Sequence, residues 1–207
     1  FSTVEDFSAR SIGLPFIGAL GVCFGNTMTI LSAKENRLGK HAWGRTLWHE
    51  YTHVVTLLRT QNRVPRWFTE GLAVYEESRG MATWVREYDR ALMTARRGGL
   101  ILPVGEFDQG FSKPKFGGQV MLSYYQGGLI SEFVEDRWGF DHVLAMLDGY
   151  RDGKPQAQIF REVFGLSEAQ FDRGLQAYMD ERYAGYPNSV LAPNPFAQML
   201  QGVVLQR

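Results

Sequence analysis

The sequence predicts an α+β fold: a small sheet lobe near the N-terminus, two adjoining helices in the first half, and a helical lobe after about residue 118. Three observations predict it. Residues 12–31 are β-prone and broken by glycines, residues 46–78 carry two helical runs joined by a short polar loop, and residues 119–183 hold a succession of helical patterns separated by Gly and Pro. With 207 residues, 44% of them apolar and 21% charged, the chain can build one substantial core and carries no signature of disorder. We expect a single domain over residues 1–185, made of a sheet lobe with the helix pair (1–118) and a helical lobe (119–185), followed by a C-terminal tail at 186–207.

Residues 1–10 are mixed in character and read as irregular, or as the end of a preceding element. Residues 12–24 (IGLPFIGALGVCF) read as strand and turn, with glycines at Gly13, Gly18 and Gly21. Gly25-Asn26 signals a turn. Residues 27–31 (TMTIL) alternate polar and apolar side chains as an edge strand does. Residues 36–42 form a polar loop whose His41 reads as solvated.

Residues 46–58 (TLWHEYTHVVTLL) contain no Gly or Pro and read as a helix. Within it stands His49-Glu50-x-x-His53. Residues four apart lie one above the other on a helix, with Cβ atoms about 5–6 Å apart. Two imidazoles so placed can grip one Zn²⁺ through N–Zn bonds of about 2.0–2.1 Å. Glu50, about 100° round the helix from His49, cannot share that face, but its arm can reach a water on the ion. This is the two-ligands-plus-base arrangement of a zinc peptidase. Leu47, Val54, Leu57 and Leu58 are expected to bury with the histidines on one stripe. The competing reading is an amphipathic helix with two hydrogen-bonded core histidines.

A catalytic zinc site takes three protein ligands and keeps a position open. Residues 66–78 (RWFTEGLAVYEES) read as a second helix, opened by Pro65 and joined to the first by the polar stretch 59–64, short enough for an antiparallel pair. Glu70 lies in its first turns beside Trp67, Ala73 and Val74, where a lone carboxylate is costly unless something positive meets it. A metal ion would serve, so Glu70 is the candidate third ligand; the alternative is an exposed helix acid.

Residues 83–97 (TWVREYDRALMTARR) are expected to form a third helix, with Trp84, Tyr88, Leu92 and Met93 inward, Arg86, Arg90, Arg96 and Arg97 on a solvated face, and Gly98-Gly99 ending it. Residues 100–118 are loop-like and contain Phe107, Phe111 and Phe116. Long loops in compact domains tend to be functional, and this one is expected to form a rim of the cleft. Residues 119–138 read as a helix despite Gly127-Gly128. Interior glycines cost about 1 kcal/mol each relative to Ala, which predicts a close approach of another element there. Residues 140–150, 156–164 and 167–183 read as further helices, the last opened by the capping box Ser167-x-x-Gln170. Ile159, Phe160, Val163 and Phe164, with Phe171, Leu175 and Tyr178, supply the core of the helical lobe, and His142 reads as structural. From Pro187 the tail is rich in Pro and Asn and is expected to dock as a strap or lead into another domain.

His49-Glu50-x-x-His53 followed by the run from Trp67 to Glu77 (WFTEGLAVYEE) resembles the gluzincin metallopeptidases. It is similar to the W-L-N-E-G-F-A pattern of aminopeptidase-N-like enzymes, and more so to the P-R-W-L-x-E-G-L-A of bacterial peptidase-MA-like domains. The resemblance covers roughly residues 20–180. It implies a zincin-like fold with the ion in the cleft, Zn²⁺ held by His49, His53 and Glu70, and Glu50 as general base. Tyr124-Tyr125-Gln126-Gly127 is similar to the Y-x-K-G and Y-x-Q-G of these families, whose tyrosine donates its hydroxyl to the oxyanion. The register carries that role to Tyr124, with Tyr125 as the fallback and core aromatics as the competing reading. Thermolysin-like gluzincins place an acid four residues after the third ligand to hold a zinc-bound histidine. Val74 stands there, so that partner is open, and Glu77 on the face of Glu70 is a candidate. In gluzincins the strand above the zinc helix pairs with an extended substrate, and the unpaired N–H and C=O groups of an edge are a template for that. Residues 27–31 fill this place. Aminopeptidases carry a glutamate near the strand that holds the substrate's amino group; residues 25–33 contain no acid and Glu35 comes too late, which favours internal cleavage.

Together these readings imply a zinc-dependent metallopeptidase acting on peptides or proteins. The alternatives are a peptidase-like binding or scaffold module beside a flanking repeat domain, as peptidase-MA-like domains often have, and zinc-assisted hydrolysis of a non-peptide bond. With 22 basic and 22 acidic residues, the net charge of zero predicts neither nucleic-acid nor anionic-membrane binding. The longest apolar stretch, 12–24, is too short and too rich in Gly and Pro to span a bilayer. Cys23 is the sole cysteine, so no internal disulfide is available, and it reads as a small hydrophobe in an apolar strand. The chain begins at Phe1 rather than Met and reads as processed or excised, so a leader or anchor ahead of it would not be seen.

Overall fold

The computed structural model describes residues 3–12, 20–24, 27–32, 43–84 and 88–185. Expectations for residues 13–19, for the turn at 25–26, for the loop at 36–42 with His41, and for the tail from Pro187 lie outside these residues. The first element is a helix, α1 (Val4–Ile12), where the sequence reading expected irregular chain. The Thr3 hydroxyl accepts the Asp6 amide at 3.0 Å as an N-cap, and Asp6 and Arg10 pair at 2.8 Å one turn apart. A hairpin of β1 (Gly21–Phe24) and β2 (Thr27–Ile30) follows, antiparallel, with Gly21 opposite Ile30 and Cys23 opposite Met28. It is the only sheet among the described residues. With helices dominating the remainder, the composition is α+β.

Helix α2 (Trp43–Thr60) carries the His-Glu-x-x-His run and extends past both predicted ends. Gln61 and Asn62, at φ of 53° and 60°, end it in the left-handed region, and the Asn62 amide closes the turn on the Leu57 carbonyl at 2.8 Å. Helix α3 (Arg66–Gly80) then runs back along it. The contacts His49–Glu77, His53–Glu70 and Thr56–Thr69 step in opposite directions on the two helices, so the pair is antiparallel as expected. The apolar stripe expected on α2 is corrected. Its buried residues are Glu50, Thr52, His53, Thr56 and Thr60, whereas Leu58 is 60% exposed. The inward face of α2 is polar because it meets the carboxylates and hydroxyls of α3.

The third predicted helix begins late, and residues 85–87, with Arg86, lie outside the described residues. A 3-10 turn spans Ala82–Trp84 and α4 starts only at Asp89 (Asp89–Arg97). Leu92 and Met93 are buried as expected, but Arg96 is tied to Gln176 and Asp180 rather than simply solvated. The stretch 100–118 holds a 3-10 turn (Val104–Glu106) and the short helix α5 (Gln109–Ser112). It is pinned down: Gln126 accepts from the Leu102 amide at 3.2 Å and donates to the Leu102 carbonyl at 2.6 Å. Asp108 accepts the Trp67 amide at 2.9 Å, meeting one of the open N–H groups at the start of α3.

Helix α6 (Gln119–Trp138) keeps its predicted bounds and lies against α3. The predicted close approach is there: a Cβ on Gly127 would stand 2.8 Å from the Gly71 Cα, and one on Gly71 2.6 Å from the Gly127 carbonyl carbon and oxygen. Helices α7 (Phe140–Arg151), α8 (Gln156–Phe164) and α9 (Glu168–Tyr183) complete the fold, and Ser167 and Gln170 form the expected capping box. Trp67, Phe68, Phe107, Phe133, Phe160 and Phe171 belong to one core cluster that ties α3, the 100–118 stretch and α6 to the C-terminal helices. His142 stacks on the Phe164 ring at 6.2 Å. No described helix is long and apolar enough to cross a membrane.

Candidate metal centre

Helices α2 and α3 bring His49, His53 and Glu70 together. The Nε2 atoms of the two histidines are 3.2 Å apart, and Glu70 Oε2 lies 3.5 Å from His49 Nε2 and 3.2 Å from His53 Nε2. These are the edges of a small triangle. Ligands about 2.0–2.1 Å from a tetrahedral Zn²⁺ are spaced about 3.3–3.4 Å from one another, so the donors fit that ion.

The opposite ring nitrogens are already engaged. His49 Nδ1 meets Glu77 Oε1 at 2.7 Å, and Arg45 Nε stands 3.7 Å from the other Glu77 oxygen. His53 Nδ1 meets the Thr69 hydroxyl at 2.8 Å, which meets the Thr56 hydroxyl at 2.7 Å, and Thr56 donates to the His53 carbonyl at 3.1 Å. Each hydroxyl has one proton, and a carbonyl only accepts. The direction of the chain is therefore set: Thr56 donates to the carbonyl, Thr69 to Thr56, and His53 Nδ1–H to Thr69. Carboxylate and hydroxyl on the Nδ1 side leave both Nε2 lone pairs aimed into the triangle. Two lone pairs and a carboxylate oxygen this close repel unless a positive group lies among them.

In the metal-free protein that group is a proton. Burial opposes a charge on His49, but its hydrogen bonds to Glu70 and Glu77 outweigh it and raise its pKa to about 9. Burial likewise opposes the Glu70 charge, and the neighbouring histidines, His49 first, override it and hold the carboxyl well below its ordinary range. A histidine raised in the folded state stabilises the fold fully below its ordinary pKa of about 6.5 and stops doing so as pH passes about 9. The chelated protein should therefore melt lower at about pH 10 than at about pH 7, and metal binding near neutral pH should release a proton. Thermal scans of chelated protein and calorimetry in buffers of different ionisation enthalpy measure the two effects.

Glu50 is buried under β1. A Cβ on Gly21 would stand 2.6 Å from its Cγ and Oε1, so the strand crosses the carboxylate at a position that admits no side chain. Burial pushes the Glu50 carboxyl up, against the pull of His49 and His53. Cys23, on the same face of β1, is partly rather than fully buried, and its thiol is pushed up by burial and by the Glu50 charge.

Tyr124, on α6, stands with its ring 6.3 Å from the His49 ring and 5.3 Å from Phe111, and its hydroxyl interacts with Glu70 and Arg66. Burial, with the Glu70 charge, raises its pKa, so the phenol keeps its proton. Tyr125, the fallback, stacks on Tyr88 at 5.1 Å instead. Thr56, Thr69, Arg45, Arg66 and Gly21 were not singled out as part of the site from sequence. The available signal was position: Thr69 precedes Glu70, and Arg45 lies one turn before His49.

The fold and the cluster define a metallopeptidase-like domain. The peptidase MA superfamily pattern matches residues 14–181, most of the chain, and the chain belongs to that superfamily. No curated protein and no solved structure matches it.

Proposed function

We propose that the protein is a gluzincin-type zinc metallopeptidase of zincin-like fold that hydrolyses peptide bonds within a chain. The observation that carries this reading is the triangle of His49 Nε2, His53 Nε2 and Glu70 Oε2, spaced 3.2–3.5 Å apart, with both outer ring nitrogens held by other groups. A Zn²⁺ held by these three atoms would supply Lewis acidity to a carbonyl and acidify an attacking water. Glu50 accepts that water's proton and delivers it to the leaving amine, for which a carboxylate made more basic by burial is suited. Tyr124 offers its hydroxyl to the carbonyl oxygen as negative charge develops there. The β1–β2 hairpin offers backbone N–H and C=O groups to an extended substrate. The absence of an acid in residues 25–33 favours internal cleavage over removal of an N-terminal residue.

Metal analysis and a screen against unstructured protein substrates, with and without chelator, test the proposal. Glu70→Ala should reduce bound zinc from stoichiometric to trace levels, because it opens one corner of a three-ligand site. Unchanged metal content would remove Glu70 from the ligand set. A fully loaded protein that cleaves nothing would mark a peptidase-like binding module instead.

A further inference from the structure

Arg66 opens α3 one turn before Glu70. Its Nε stands 3.4 Å from Glu70 Oε1, whereas the other oxygen, Oε2, faces both histidines. The same guanidinium interacts with the Tyr124 hydroxyl and lies over the Phe111 ring at 5.3 Å. Phe111 in turn sets its edge against Tyr124. One side chain thus touches the candidate ligand carboxylate and the ring that packs the candidate oxyanion donor.

The Arg66 side chain is 56% exposed and Glu70 only 11%, so burial does not force the guanidinium inward; its partners draw it there. Arginine carries five N–H donors in a rigid planar fork and accepts nothing. A donor on Oε1 leaves Glu70 with one oxygen for the histidine side, where a carboxylate without that partner can turn to offer both. A positive charge near the phenol oxygen draws electron density from it and makes its O–H the stronger donor.

We propose that Arg66 is a positioning residue: it keeps Glu70 on a single oxygen at the metal and aims the Tyr124 hydroxyl at the reacting carbonyl. The second half rests on the metallopeptidase reading; the first does not.

Cobalt substitution tests the first half without any turnover. Four-coordinate Co²⁺ absorbs visible light more strongly than five-coordinate Co²⁺, so the band reports a second Glu70 oxygen joining the ion. Co²⁺-loaded Arg66→Gln should show a clearly weaker band than wild type, with Arg66→Lys in between. Identical spectra for all three would overturn the hold on Glu70. Kinetics test the second half. Arg66→Gln should lower kcat on the order of 10- to 100-fold with KM changed about twofold or less, whereas in a Tyr124→Phe background the same change should cost less than about threefold. Equal losses in the two backgrounds would overturn the action through Tyr124. If wild type binds Co²⁺ but cleaves no peptide, the peptidase reading falls and with it the second half, while the spectra still decide the first. If wild type binds no Co²⁺, both halves fall.

Discussion

Glu50→Gln is expected to keep its metal and lose about 10³- to 10⁴-fold in kcat. The amide nearly matches the carboxylate in size, and Glu50 is not among the three atoms that converge between α2 and α3. Metal content should therefore not change. What the amide lacks is a basic oxygen, and proton transfer through that oxygen is the whole of the role assigned to Glu50. The pocket under Gly21 makes the comparison clean, since Glu50 is buried there and burial already disfavours its charge. A neutral replacement removes that desolvation cost, so stability should hold or rise. Metal analysis, thermal melting and peptide cleavage on the same preparation measure all three. Substantial cleavage with full metal would assign the base to another group.

The second large effect is structural. Gly71→Ala would place a methyl 2.6 Å from the carbonyl carbon and oxygen of Gly127. Those atoms belong to the backbone of α6 and cannot turn aside as a flexible side chain would. The helices must part, at a cost of about 1–3 kcal/mol or more. Because Gly71 adjoins Glu70, the displacement should also weaken metal binding. Denaturant unfolding of the chelated protein gives the first effect and competition with a chelator the second. A variant as stable as wild type would show that α3 and α6 have room to move apart.

The parts of the site that could be read from sequence are those whose sequence spacing is also their spatial spacing. His49 and His53 are one helical turn apart, and Glu70 stands at the start of the next helix. Glu77 was within reach by the same logic, two turns beyond Glu70. Arg66, one turn before Glu70, was within reach as well; Thr56 and Thr69 were not, because they act through the way α2 and α3 meet, and side-chain periodicity does not encode that meeting. Tyr124 entered through a resemblance; its position relative to Glu70 follows from the helix crossing. In the fold, Gly127 announced its close neighbour, since a helix tolerates such a residue at a cost. The stripe on α2 differs for another reason: Leu58 is apolar yet faces outward, because the inward side of that helix is occupied by polar partners. Helix α1 starts from a lone hydroxyl cap at Thr3, a weak signal in a stretch of mixed character.

Where α3 and α6 touch, they do so one residue after Glu70 and one turn after Tyr124. Gly71 and Gly127 let the two backbones meet directly there, so the separation between acid and phenol is set by main chain against main chain rather than by intervening side chains.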